Sequence, residues 1–275
     1  MRPRLGLVCI TQSKDVRYRM VTRKRLLELP PDGQKSISLY RILSSIFPFA
    51  DEDVGRETLQ PLSDALADAG RYALERGIRL VMHPDQFVVL SSDSAGVVAN
   101  SVKILQMHAD IMDLLQQPRS PWALLEIHGG KAGRASALVE RIATLPDAIR
   151  LRLGLENDEY AYSAAEIHDI CLRSGVPMVF DAHHHIVHER LPSYDDPSVA
   201  EMLEKARATW SDPAQQLVHI SNGRDGFNDR QHADQIDVMP ASYVQAPYIE
   251  IEAKFKEEAI RKLRAWQSGA AATAP

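Results

Sequence analysis

The strongest constraint on this chain is an alternation. Eight short apolar runs, at Arg4–Cys9, Ser38–Ile42, Ile78–Met82, Ala123–Ile127, Leu151–Leu155, Val176–Phe180, Leu217–Ile220 and Tyr248–Ile251, are separated by stretches whose apolar residues recur at helical spacing. In Thr58–Arg76, for example, Leu62, Leu66, Ala69 and Ala73 share one face and Gly77 suits the stop. Val98, Val102, Leu105, Ala109 and Met112 repeat the pattern, and Ser163 to Glu166 reads as a capping box opening a helix that Gly175 closes. Eight strand–helix units in a chain of 275 residues predict an α/β fold, a single (β/α)8 TIM barrel over residues 1–267 with a flexible tail at 268–275. A doubly wound open sheet gives a similar alternation, but no Gly-rich loop follows the first run, so no nucleotide cofactor is expected. The basic, then proline-marked segment Lys14–Pro31 holds no long helical pattern, and the stretch between Arg25 and Ser38 is too short for the usual first barrel helix, which predicts an incomplete first βα unit.

The ends of these runs carry the chemistry. The third ends at His83, the fourth at His128, the fifth at Glu156 and the sixth at Asp181; the seventh contains His219 and the eighth ends at Glu252. A barrel brings all its strand ends to one face, so these six side chains converge. Converging buried carboxylates repel one another and resist desolvation, and divalent cations resolve both problems. Asp181-Ala-His-His-His185 adds histidines in what reads as a loop folding over the site, and His232-Ala-Asp234 offers a further ligand pair. Mixed nitrogen and oxygen ligands suit Zn, Mn or Fe. There are more ligands than one ion can hold, which predicts two or three ions, a pattern typical of in-line phosphodiester hydrolysis. His108 and His168 fall within helices and read as packing or solvated; His183 and His188 are left open, and Cys9 reads as core.

Composition removes other classes. Apolar content of 45% with 32 basic against 37 acidic side chains excludes disorder, and no run approaches the roughly 18 apolar residues of a membrane span. Two cysteines build no disulfide framework, and Met1 to Cys9 lacks a signal peptide's apolar region, so a cytoplasmic, bacterial-type location is expected, with no membrane and no evident protein partner. The net charge of −5 does not advertise nucleic acid, yet Lys14 to Arg25 packs six basic residues (Lys14, Arg17, Arg19, Arg23, Lys24 and Arg25) against Asp15 alone. That segment follows the first strand, on the catalytic face of a barrel, where it can neutralise phosphates.

Several motifs are familiar in order. Arg-Tyr-Arg-Met-Val-Thr at 17–22, Tyr-Arg-Ile-Leu-Ser-Ser-Ile-Phe-Pro-Phe-Ala at 40–50, Met-His-Pro-Asp-Gln-Phe at 82–87, Ile-His-Gly-Gly at 127–130 and Leu-Glu-Asn-Asp at 155–158 are followed by Phe-Asp-Ala-His-His-His at 180–185, Val-His-Ile-Ser at 218–221, His-Ala-Asp at 232–234 and Ile-Glu-Ala-Lys at 251–254. Together they resemble the UV-damage endonuclease family, within the xylose-isomerase-like TIM barrels. The resemblance implies a metal-dependent endodeoxyribonuclease that nicks damaged double-stranded DNA 5′ to UV photoproducts and other distorting lesions. It implies up to three divalent ions, Mn first with Zn or Mg as alternatives, held by His83, His128, Glu156, Asp181, His184, His219, His232 and Glu252. Glu156, His128 and Lys254 take the catalytic roles, Lys254 by neutralising the scissile phosphate. Gln86 and Phe87 match the pair inserted at the lesion, where unstacking is cheapest, and Arg17, Arg19, Arg23 and Lys24 contact the DNA backbone.

The chain departs from the family pattern at three positions. Asp51-Glu52 stand where a ligand histidine follows Phe-Pro-Phe-Ala, Leu217 where a lysine precedes the seventh-strand histidine, and Leu7 where an aromatic ends the first strand. Three alternatives stay open: an apurinic-site endonuclease, a sugar isomerase on the same metal barrel, and a catalytically weak metal- or DNA-binding homologue.

Overall fold

Each apolar run becomes a strand in the computed structural model, which describes residues 3–8, 37–84 and 87–267. The strands are β1 (Arg4–Val8), β2 (Leu39–Ile42), β3 (Arg79–Met82), β4 (Leu125–His128), β5 (Leu153–Glu156), β6 (Met178–Asp181), β7 (Leu217–Ile220) and β8 (Tyr248–Ile251). All pair in parallel in chain order, and β8 closes on β1 with Gly6 opposite Glu250. This is the (β/α)8 barrel that the alternation predicts. The segment 9–36, which contains Cys9 and the expected incomplete unit, and the tail 268–275 lie outside the described residues.

Three strands start two residues later than their apolar runs, each for a local reason. Pro121–Ala123 is a 3-10 turn in which the Ser120 hydroxyl accepts the Trp122 N–H and the Ser120 carbonyl the Ala123 N–H, so β4 waits until Leu125. Leu151 caps a short helix, Asp147–Arg150, that runs directly into β5. Pro177 has no N–H to give a ladder, and β6 begins after it.

The helices among the described residues are α1 (Asp53–Leu59), α2 (Ser63–Glu75), α3 (Ala95–Leu114), α4 (Ala135–Ala143), α5 (Asp147–Arg150), α6 (Ala164–Ser174), α7 (Ala182–Glu189), α8 (Pro197–Ala208) and α9 (Lys256–Gln267). The single helix expected over Thr58–Arg76 is split. Pro61 cannot sit in a helix interior, so Gln60–Leu62 tightens to a 3-10 turn and leaves Leu62 exposed. The buried face of α2 is then Gly70 and Ala73 with Leu66 beside them, not Ala69, and Gly77 stops the segment at a φ of +63°. In α6 the expected capping box is present, with Gly175 left-handed and donating its N–H to the Cys171 carbonyl. No helix among the described residues is long and apolar enough to cross a membrane.

Alternation along the strands sorts their side chains onto two faces. Leu80, Met82, Met178, Phe180, Val218 and Ile249 pack against the helices in the main core. Their neighbours Leu39, Val81, Val179, Leu217 and Tyr248 form a second cluster inside the barrel. The base of the barrel is held by Arg79, which is fully buried with Trp122, Trp210 and Tyr248 around it. Its guanidinium donates to the carbonyls of Pro121, Trp122 and Gln215, and burial lowers its pKa to about 10. One step toward the strand C-termini, the inward residues turn polar.

Candidate metal centre

The inward positions above the apolar layer are Arg41 on β2, Glu126 and His128 on β4, Glu156 on β5, Asp181 on β6, His219 on β7 and Glu250 with Glu252 at β8, with His83 just past β3. Glu156 lies at the middle of the group. Its Oε2 is 3.1 Å from His83 Nε2 and 3.9 Å from His128 Nε2, and its Oε1 is 3.0 Å from His219 Nδ1 and 3.3 Å from His184 Nδ1. Glu252 reaches His219 Nδ1 at 3.6 Å and His232 Nδ1 at 3.5 Å. Four overlapping sets present ligand atoms within 4.8 Å of one another: His83, His128 and Glu156; Glu156, Asp181 and His184; Asp181, His219 and Glu252; and Glu126, His219 and Glu250. Seven of the eight residues that the resemblance implies as ligands fall in these sets, and the eighth, His232, touches Glu252 from the rim.

Several buried polar atoms fit a cation better than they fit the protein alone. Asp181 N-caps α7, with Oδ1 accepting the His184 N–H at 2.8 Å, while its Oδ2 is buried without a hydrogen bond. His128 Nδ1 is likewise buried without one. Unsatisfied buried polar atoms are costly, and carboxylate oxygens with imidazole nitrogens are the donor set that a borderline divalent ion takes. The site therefore could hold metal ions.

Protonation tells the same story. Burial pushes the Glu156 carboxyl up, but the imidazoles of His219 and His128 and the hydrogen bonds from His184 and His219 outweigh it, holding it well below the ordinary carboxylate range. For His184, burial is overcome by Asp181 and Glu156, and for His219 by Glu156, Glu250 and Glu126, so both rings are raised well above the usual histidine value. His83 is raised in the same way, by Glu156 against its burial. Glu126 is pushed up by burial and by neighbouring Glu250. Burial leaves His128 lowered despite Glu156 nearby. Protons on histidines thus stand in for cations.

The other expected residues fall outside the cluster. Asp181-Ala-His-His-His185 is not a loop over the site but the start of α7, because Asp181 caps it; only His184 turns inward. His183 bonds to the Tyr194 hydroxyl and the Asp229 carbonyl, His185 to Ser198, and His188 to the Asp158 carbonyl. His108 packs within α3 against Ser44, and His168 is half-buried. Asp234 pairs with Lys254, whose side chain is 64% exposed. Asp51 and Glu52 pair with Lys103, so Glu52 stays out of the cluster. Leu7 faces the helices and Leu217 the barrel interior. Phe87 is 76% exposed in the loop after β3. Gln86, Arg17, Arg19, Arg23 and Lys24 lie outside the described residues.

Three site residues escape a reading of strand ends: Arg41, Glu126 and Glu250. Arg41 bridges Glu250, at 2.7 Å, and Glu252. The signal that locates two of them is period two: Glu126 is two residues before His128, and Glu250 two before Glu252, so each pair shares the inward face. The cluster opens into a cleft of about 690 Å³ lined by Arg41, His83, His128, Tyr160 and His184 among others.

A parallel eight-stranded barrel with a histidine–carboxylate cluster at the C-terminal strand ends defines a TIM barrel able to hold divalent ions at its mouth. Comparison with known proteins narrows that class. Residues 4–270 match the family described as UV-endonuclease UvdE, and the chain belongs to that family. It is 49% identical to a UV DNA damage endonuclease of Nostoc sp. strain PCC 7120, over 96% of this chain and 90% of that protein. It is 46% identical to a UV DNA damage endonuclease of Deinococcus radiodurans, over 95% of each. The crystal structure of SacUVDE superposes with a TM-score of 0.75 at 25% identity, covering 96% of this chain and 99% of that one.

Proposed function

We propose that this chain is a metal-dependent DNA-repair endonuclease of the bacterial cytoplasm that cuts the backbone of damaged duplex DNA 5′ to UV photoproducts and other distorting lesions. The observation that carries the metal reading is the buried cluster around Glu156, with acceptors that the protein leaves unsatisfied. Charge favours two ions at least. Among the described residues, Glu126, Glu156, Asp181, Glu250 and Glu252 are five buried carboxylates against two guanidiniums, Arg41 beside Glu250 and Glu252 and Arg79 acting on Glu126 and Glu250 from below, which leaves three negative charges once the histidines are neutral. One divalent cation is too few to balance them, and Mn suits the mixed donor set.

His83, His128, Glu156, Asp181, His184, His219, His232 and Glu252 would hold the ions, which when bound supply Lewis acidity for hydrolysis of a phosphodiester. Glu156 and His128 border the cleft and orient whatever reacts there. Phe87, exposed and between the cleft-lining Pro84 and Val89 in sequence, with Gln86 before it, occupies the space left where damage weakens stacking. Arg17, Arg19, Arg23 and Lys24 draw the phosphates of the strand toward the mouth, and Lys254 on the rim takes the phosphate nearest the cut.

The test uses metal-stripped protein reloaded with Mn and end-labelled duplexes that carry a defined thymine photodimer, an abasic site, or no damage. A Mn-dependent nick just 5′ of the dimer supports the reading. Cutting only at the abasic site assigns the chain to the apurinic class instead. Tight Mn binding with no cut duplex points to sugar chemistry or to a non-cleaving homologue.

A further inference from the structure

His219 occupies a place that no other imidazole of the cluster shares. Its ring is fully buried and stands between two pairs of carboxylates. Nδ1 faces the cleft side, 3.0 Å from Glu156 and 3.6 Å from Glu252. Nε2 faces down the barrel, 2.8 Å from Glu126 Oε2 and 3.6 Å from Glu250 Oε2. A neutral imidazole has one N–H and one lone pair, so only one of these nitrogens can take a cation, and the hydrogen bond on the other decides which.

We propose that Glu126 is a positioning residue: it accepts the Nε2–H of His219, fixes the ring in one tautomer, and so presents Nδ1 to the metal centre. The inference rests on the metal reading above and adds a residue to it. Glu126 is fully buried beneath the cluster, too deep to meet DNA, and its Oε2 is within hydrogen-bond distance of Nε2. Glu250 cannot do the same, because its Oε1 is engaged by Arg41 at 2.7 Å and its Oε2 stops short of hydrogen-bond distance from the ring. Strand geometry makes the arrangement rigid. Glu126 and His128 are alternate residues of β4, so one strand supplies both a candidate ligand and the brace for a ligand on β7.

The competing arrangement places an ion of its own among Glu126, His219 and Glu250. Two features disfavour it. The Arg41 guanidinium already sits on Glu250, so a second cation there would meet a fixed positive charge. An ion there would take Nε2, so a further ion on Nδ1, which faces Glu156 and Glu252, would require His219 to become an imidazolate.

The deciding experiment labels histidine with 15N in the full chain loaded with Zn and records long-range proton–nitrogen correlations. The expected pattern for His219 is a metal-shifted Nδ1 and a protonated Nε2. The reverse pattern, or metal on both nitrogens, overturns the proposal while leaving the metal centre standing; a chain that takes up no ion overturns both. Two variants give a second readout, Mn affinity by titration calorimetry. Glu126→Leu, which removes the acceptor, is expected to weaken Mn binding by roughly 10–100-fold, as loss of such a brace does elsewhere. Glu126→Gln, which keeps an acceptor oxygen in the same place, recovers most of it. Unchanged affinity in the Leu variant refutes the brace. Loss of one bound ion from both variants, with the rest held as tightly as before, assigns Glu126 to a site of its own instead. If the Leu variant does not fold, the labelled spectrum of the unaltered chain still decides.

Discussion

Metal loading should expel protons from this chain, and the cluster shows which groups give them up. In the metal-free protein the carboxylates hold His184 and His219 well above the ordinary histidine value and raise His83 as well. The carboxylates thus favour the protonated form of all three rings. Ligation requires each to be neutral, so binding should release protons, about three per chain at most from these rings. Calorimetric Mn titrations in buffers of differing ionisation enthalpy measure this directly, since the observed heat varies with buffer in proportion to the protons released. The sign of the pH dependence follows. Mn affinity falls as pH drops below neutrality, whereas the metal-free fold behaves oppositely. Raised histidine pKa values contribute stability that is fully present below the unfolded value of about 6.5 and is lost as pH rises through the higher folded values. Metal-free melting temperature should thus fall with rising pH above about 6.5, and saturating Mn should abolish that fall. Heats independent of buffer, or a metal-free chain that grows more stable across the same range, would falsify the view that protons hold the place of cations here.

Further outcomes follow from individual residues. His128→Ala should abolish nicking of a photodimer duplex while moving the thermal midpoint little, within about 1 kcal/mol, because its side chain is part-exposed and its Nδ1 makes no hydrogen bond; full activity would remove it from the site. Arg79→Met leaves three carbonyls at the barrel base without their donor, so urea unfolding should show a loss of about 3 kcal/mol or more. Phe87→Ala should leave stability within about 0.5 kcal/mol yet weaken binding to lesion-bearing duplex more than to intact duplex in a gel-shift titration, given its exposure between the cleft-lining Pro84 and Val89 in sequence. Gly70→Ala should cost about 1–3 kcal/mol by thermal melt, because an added Cβ would lie 1.7 Å from the Leu115 carbonyl oxygen, which is backbone and cannot step aside.

The barrel was legible because its signal is repetitive: a buried parallel strand must be apolar on both faces, so eight such runs stand out against polar connections. The same property exposed the site, since a His or carboxylate ending an apolar run has no reason to be there unless it is used. What stayed hidden had competing explanations. Glu126 and Glu250 sit inside strands, where a lone charge reads as an outward residue unless both barrel faces are known. Arg41 lay within a motif noticed for its order and not for its direction. Pro61 was visible, but the apolar spacing across it overrode its meaning, and the helix broke there. The three consecutive histidines after Asp181 read as a loop because their polarity resembles one, although Asp181 before them is among the best helix caps.

Asp181 also limits what substitution this fold tolerates. At most helix starts Ser, Thr, Asn and Asp replace one another for about 1 kcal/mol or less, and chains drift freely among them. Here one oxygen starts α7 and thereby fixes the turn that carries His184, while the other is turned into the cluster. Asn keeps the cap but points an amide donor where an acceptor stands. Ser and Thr keep the cap with no second oxygen at all. A saturation library at this position, scored separately for folding and for repair, should therefore give a broad tolerance by the first score and a single permitted residue by the second.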